Sequence, residues 1–221
     1  MKEAAGFKTP KGFDNKKFWK TAGNEIKRVT TKIAILRRIG LSSPSQMAIG
    51  VYSKIPFSPS NSLSVINESD PLKSKALVAI LNSIVFLSQF YLLKEDSTSR
   101  WADIRFYDIA EMNLIPNGEE IIEGLSEIFD KYSSIEFPSI AEQMDNHFYK
   151  RYDTFWKRQR KNVNQDTLFQ EEKICKPSKL RIDFDLKVCK ILGIDVTESQ
   201  FKEVYCSISE DLIISRGLRR D

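Results

Sequence analysis

Histidine and cysteine are scarce in this 221-residue chain, with one histidine, His147, and three cysteines, Cys175, Cys189 and Cys206. A single histidine and the lack of any Cys-x-x-Cys pair leave no ligand set for a structural zinc site. Three thiols spaced 14 and 17 residues apart argue against a disulfide framework and fit a reducing cytoplasmic compartment. Gly-x-Gly-x-x-Gly, a Gly-Lys-Ser/Thr loop and His-Glu-x-x-His are all missing, so dinucleotide binding, P-loop hydrolysis and zincin-type proteolysis have no motif to rest on. The opening MKEAAGFKTPKGF contains no apolar core of a signal peptide. Long apolar runs are also rare. The exception is Ala76 to Leu93, 18 uncharged residues, which reaches the lower limit of a membrane span. Asn82, Ser83, Ser88 and Gln89 near its middle favour a buried core helix over a membrane helix.

What is present points to a folded protein. The 14 Phe, 7 Tyr and 3 Trp supply a sizeable core, and 29% charged residues suit an aqueous surface. The net charge of +4 is unevenly spread. Residues 1–70 carry +7, residues 71–116 are neutral, residues 117–149 carry −7, residues 150–161 carry +5 and the remainder −1. Two basic zones separated by an acidic one predict a face that meets a polyanion and another that avoids it.

Residues 1–27 read as a basic N-terminal segment, with no structure forced on the first dozen. Val29 to Ile39, Gln46 to Ile55 and Ser62 to Ile66 show strand-like alternation punctuated by Pro44, Pro56 and Pro59. Asp70-Pro71 opens one long helix, apolar most of the way round and therefore buried. Residues 104–107 look extended, and Asp108 is placed to cap a short helix. Helices follow over 119–132, after a Ser139/Glu142 capping box, over 180–192 before Gly193, and after a second box at Thr197/Gln200. Residues 162–177 read as a linker or surface loop.

Acid–base candidates are weak. Asp183 and Asp185 lie two apart, on different sides of a helix, and read as solvated charges, and no Asp…Glu-x-Lys nuclease spacing is convincing. His147 reads as a surface or partly buried polar group.

The stretch 75–116 resembles the target-recognition region of adenine-specific DNA methyltransferases of restriction-modification systems. The resemblance rests on Leu81-Asn82-Ser83 in a helix, then the loop Ser97-Thr98-Ser99-Arg100, then Trp101-Ala102-Asp103-Ile104-Arg105, then a short helix ending at Pro116. Downstream, Leu180 to Ile194 and Val204 to Arg216 resemble the family's helical tail. The chain departs from the family at Ser99, where the loop carries glycine; serine tolerates positive φ poorly. The resemblance implies sequence-specific binding of double-stranded DNA. A complete adenine methyltransferase also needs a glycine loop for S-adenosylmethionine and an Asn/Asp-Pro-Pro-Tyr/Phe motif for the flipped base, and neither occurs here. The chain is therefore expected to bind no cofactor itself, with S-adenosylmethionine held by a catalytic domain or subunit that would be its protein partner.

The expected fold is α+β: a small β-rich recognition lobe over 28–116 around a long buried helix, followed by a helical lobe over 117–221. Base edges call for donors and acceptors, and flanking phosphates for cations. Ser97, Thr98, Ser99, Arg100 and Arg105 are the candidate readers, with Arg28, Lys32, Arg37, Arg38 and Lys54 in the β-rich part and Lys157 and Arg158 in the second basic cluster as phosphate contacts. Two rival readings stand beside this one: a module docking on a methyltransferase or nuclease subunit, and a nuclease whose site the motifs do not reveal.

Overall fold

The computed structural model describes residues 30–60, 62–93, 102–104, 109, 112, 118–161 and 175–218, with six isolated positions between 16 and 24. Among these, strands β1 (Thr31–Leu36), β2 (Arg38–Ile39), β3 (Gly50–Phe57) and β4 (Leu63–Ile66) precede helices α1 (Pro71–Leu81) and α2 (Ile84–Leu93). Strand β5 (Ala102–Asp103) and helices α3 (Glu119–Tyr132), α4 (Ile140–Met144), α5 (Phe148–Gln159), α6 (Lys179–Ile191) and α7 (Glu198–Leu218) complete the order. The α+β class expected from the sequence is what is observed.

β1 is the middle strand of an antiparallel sheet ordered β3-β1-β4. Ile33, Ala34 and Ile35 are buried in succession, as a central strand covered on both faces requires. The register pairs Ile35 with Gly50 and Ile33 with Tyr52, then slips so that Thr31 pairs with Phe57. The slip leaves residues 53–56 of β3 as the bulged side. The second strand starts later than its alternation suggests. Gln46 donates to the Ala48 carbonyl, and its own carbonyl accepts from Ile140 N–H, so residues 46–49 belong to a packed loop.

The long buried helix is two helices. α1 begins at Asp70, whose carboxylate accepts from Leu72 N–H at 2.8 Å, with Pro71 in the first turn. It ends at Asn82, and α2 leaves at 61° to it. Alternation and composition cannot show this break, because it is made by partners remote in sequence. Asn82 is drawn into bonds with β3, and the Ile84 N–H that opens α2 is satisfied by Asp185, 101 residues away. No single described helix is long and apolar enough to cross a membrane; the bent pair qualifies only by length and composition. Ala76, Val78, Ile80, Leu81, Phe86, Leu87 and Phe90 of this pair are buried in the protein.

Two clusters form the core. The larger joins Ile35, Ile49, Leu81, Phe86 and Phe90 to Met144, Phe148, Phe201, Tyr205 and Ile213. The smaller packs Ala76 and Ile80 of α1 on Leu125, Ile128 and Tyr132 of α3 and on Phe184 and Val188 of α6. Both therefore draw residues from either side of position 117. The helices end as their sequences indicate: Ser139 and Glu142 form the capping box of α4, Thr197 and Gln200 bond reciprocally before α7, and Gly193 takes φ +69° after α6.

Candidate nucleic-acid interface

The Ser/Thr/Arg segment is flanked in sequence by two described elements. In sequence it lies between α2 and β5, and β5 pairs antiparallel with β2 through Arg38–Asp103 and Ile39–Ala102. The next residue, Ile104, is buried and donates its N–H to the Arg37 carbonyl at 2.8 Å. Ala102–Ile104 is thus held by backbone bonds to β2 and to Arg37, beside two of the candidate phosphate contacts. Arg37 N–H in turn donates to the Ser62 carbonyl, tying this junction to the main sheet.

Ser97, Thr98, Ser99, Arg100, Arg105 and Arg28 lie outside the described residues, as do the extended piece over 105–107 and the Asp108 cap. The other six candidates are placed. Lys32 is half-buried on β1 and, by the register, lies opposite the bulged segment that contains the exposed Lys54. Arg37 and Arg38 are exposed at the β1–β2 junction. Arg38 pairs with Asp103 at 2.9 Å across the β2–β5 ladder, with side chains 70% and 58% exposed. A pair that open to water is worth only about 0–1 kcal/mol, so exchanging Asp103 for a phosphate costs little. Lys157 is exposed and Arg158 half-buried near the end of α5, a helix that packs on α4 and α7 rather than on the sheet. The structure thus brings together Lys32 with Lys54 and Arg37 with Arg38, and leaves the α5 pair on a separate element.

The core also holds a buried polar network. Asp185 is fully buried, in contrast to the solvated charge its spacing suggested. Its carboxylate accepts from Ile84 N–H at 2.8 Å, Arg181 Nε at 2.5 Å and the Tyr205 hydroxyl. Arg181 Nη1 donates to Gln143 Oε1 at 3.0 Å, and the Gln143 amide donates to the carbonyls of Met47 and Pro138. The chain of bonds joins the loop before β3 to α2, α4, α6 and α7. Burial drives the Asp185 carboxyl above the usual carboxylate value, against the pull of Arg181, Tyr205 and Ile84. Burial also works against the Arg181 charge, but Asp185 and Tyr205 outweigh it and leave the guanidinium raised. Three donors converging on one carboxylate favour the charged pair as the resident state.

The single helix expected from Ile140 through Trp156 is two, α4 and α5, because a second buried acid, Asp145, takes an extended conformation between them. Asp145 accepts from His147 N–H, Lys176 N–H and Arg151 Nη1. Asp183, by contrast, is half-exposed and bonds Lys187 and the Tyr132 hydroxyl. Lys187 and Tyr132 together hold its carboxyl below the ordinary range. Burial pushes the Cys189 thiol up to about 11, with the Asp185 charge adding to it. Among the described residues no three His, Cys, Asp or Glu side chains converge to hold a metal ion.

Sequence reasoning missed Asn82 as a joint and Asp185 as a buried hub. The signal for Asn82 was its place amid apolar residues; for Asp185 it was the Arg181 four residues earlier on the same helix. Comparison of the chain with family models, curated proteins and solved structures gives no match.

Proposed function

We propose that this chain binds duplex DNA sequence-specifically, as the target-recognition part of an adenine-specific methyltransferase or of a fused restriction-modification enzyme acting in the cytoplasm. The observation that supports this best is the β2–β5 ladder, which holds Ala102–Ile104, the segment that follows Ser97–Arg100 in sequence, beside Arg37 and Arg38. Base reading needs side chains presented from a fixed support, with cations beside them for the backbone. In this reading S-adenosylmethionine belongs to a separate catalytic half, and this chain supplies no methyl transfer alone. The test is anisotropy of labelled duplex DNA with the full chain across a salt series. Binding should weaken steeply with salt, and Arg37→Ala with Arg38→Ala should lower the logarithmic salt slope by about two. Methylation of plasmid DNA by the purified chain with S-adenosylmethionine would overturn the claim that it lacks catalysis.

One observation favours a second reading, docking on a methyltransferase or nuclease subunit. Ile55 on β3 is 76% exposed and Leu92 at the end of α2 is 85% exposed. DNA binding that is indifferent to both arginine substitutions, with subunit binding lost on Leu92→Asp, is the outcome expected of a docking module.

A further inference from the structure

Two of the three cysteines, distant in sequence, meet in the fold. Cys175 lies just ahead of α6 and Cys206 lies on α7, 31 positions later, and both are free and partly exposed. The Cys206 Sγ is 3.9 Å from the Cys175 carbonyl oxygen, and the two thiols contact each other. The third thiol, Cys189, is buried beside Asp185 instead.

The meeting point is held from both sides. Cys175 Sγ donates to the Met144 carbonyl at 3.3 Å. The next residue, Lys176, donates its N–H to Asp145 at 3.2 Å and accepts from Asn146 N–H at 2.8 Å. These bonds fasten the Cys175 backbone to the break between α4 and α5. On the other side, Phe201 and Tyr205 bury α7 in the larger core cluster and fix the face that carries Cys206. Arg151 ties the same elements together, bonding Asp145 and standing 3.6 Å from Glu210, one turn beyond Cys206. Two sulfurs in contact on fixed backbones meet the first condition for a disulfide, which tolerates little backbone movement.

The surroundings decide when the pair reacts. Burial raises both thiols, and Cys175 by more. The Asp145 charge opposes both thiolates and Glu210 opposes that of Cys206, while Arg151 favours both. Cys206 is therefore the readier of the two to ionise, and both rest as thiols at neutral pH. We propose that Cys175 and Cys206 form a reversible disulfide on exposure to a peroxide-class oxidant, a covalent clip between the lead-in to α6 and α7. The Cys206 thiolate attacks a peroxide oxygen and the O–O bond breaks. The hydroxide released takes up the thiol's proton as water, and Cys206 is left as a sulfenic acid. The Cys175 sulfur then attacks the Cys206 sulfur, the S–O bond breaks, and a second water leaves with the Cys175 proton. Both sulfurs are oxidised and the peroxide is reduced to water. This site is independent of the DNA-binding reading and stands or falls separately from it.

The experiment uses the unaltered full chain. Folded protein is treated with hydrogen peroxide, remaining thiols are alkylated in urea, and tryptic peptides are mapped by mass spectrometry. The expected product is a single intrachain link between the Cys175 and Cys206 peptides, with Cys189 recovered as the alkylated thiol and the link undone by dithiothreitol. Its rate of formation should rise about tenfold per pH unit above neutral, as the thiolate becomes available. The oxidised chain should unfold at a higher urea concentration than the reduced one, because the link closes the stretch from Cys175 to Cys206 in the unfolded state. The same treatment of the urea-unfolded chain should give a mixture of pairings. The proposal is overturned if no Cys175–Cys206 peptide forms in the folded chain, if the link joins separate chains, or if the folded and unfolded chains give the same mixture.

Discussion

Asn82 grips both polar groups of Gly50. Its Oδ1 accepts the Gly50 N–H at 3.1 Å and its Nδ2 donates to the Gly50 carbonyl at 2.9 Å. The same side chain also takes the Ile49 N–H at 2.7 Å and donates to the Val78 carbonyl at 3.0 Å. One amide therefore ends α1, starts β3 and fixes the angle at which α2 leaves. In the Leu81-Asn82-Ser83 motif, the asparagine works as a joint between helix and sheet and not as a group presented to a ligand.

Asn82→Ala should destabilise the fold by about 2–4 kcal/mol, since it strands the Ile49 and Gly50 N–H groups and the Gly50 carbonyl in a partly buried place. Asn82→Asp keeps the acceptor and loses both donations, so its loss should be intermediate. Urea denaturation midpoints at constant slope measure both. A change below about 0.5 kcal/mol for the alanine variant would sink the joint.

Gly50 is required by space. A Cβ there would sit 2.9 Å from Leu81 Cβ and 3.0 Å from Leu81 Cδ1, closer than carbon atoms pack. Gly50→Ala should cost about 1–3 kcal/mol through forced separation of α1 from β3. Leu81→Ala in the same chain removes Cδ1 and Cγ but keeps the Cβ at 2.9 Å, so it should relieve only part of the Gly50→Ala loss in a double-mutant cycle.

Asp185→Ala should be the most damaging single change, about 3–5 kcal/mol, because it leaves the Arg181 charge buried without its partner and the Ile84 N–H without an acceptor. Replacing both members, as Arg181→Met with Asp185→Leu, should recover part of that loss in thermal melts. The Ile84 N–H then still lacks its cap, so recovery should stay incomplete.

The Asp183–Lys187 pair carries a pH signature. The Asp183 carboxyl is held below the usual range by Lys187 and then Tyr132, so its contribution is present above about pH 4, the ordinary carboxylate value, and fades as pH falls through its lowered value. For Lys187, burial lowers the ammonium pKa, but the bonds to Asp183 and Tyr132 outweigh it and leave it raised. Its share is complete below about pH 10, the ordinary lysine value, and fades as pH rises through the raised one. Asp183→Asn should lower the melting temperature across the neutral range and have no effect once Asp183 is protonated. Lys187 is 35% exposed and Asp183 54%, so water screens the pair and the loss should stay within about 1 kcal/mol. An undiminished effect at acid pH would contradict this origin.

Local chemistry was legible in the sequence. Capping boxes at Ser139/Glu142 and Thr197/Gln200, the Asp70-Pro71 start and the Gly193 stop work within one turn of chain, and each is where its residues indicate. The third strand and the helix over 119–132 follow from apolar spacing in the same way. Other features were not legible because their partners are remote. The helix break at Asn82 depends on β3, 32 residues earlier, and on Asp185, 101 residues later than Ile84. The late start of β3 depends on Ile140. Whether Asp185 is solvated or buried depends on Tyr205 and α2 closing over it.

By itself, then, the sequence determined the α+β class, the ends of most helices and the absence of the usual nucleotide and zinc motifs, since each is a property of neighbours along the chain. Only the tertiary structure decided that the apolar run is two helices hinged at Asn82, that Arg37 and Arg38 stand beside Ala102–Ile104, and that Asp185 and Arg181 form a buried pair. These are contacts between segments far apart in sequence, and their positions are set by packing and buried hydrogen bonds that no local pattern encodes.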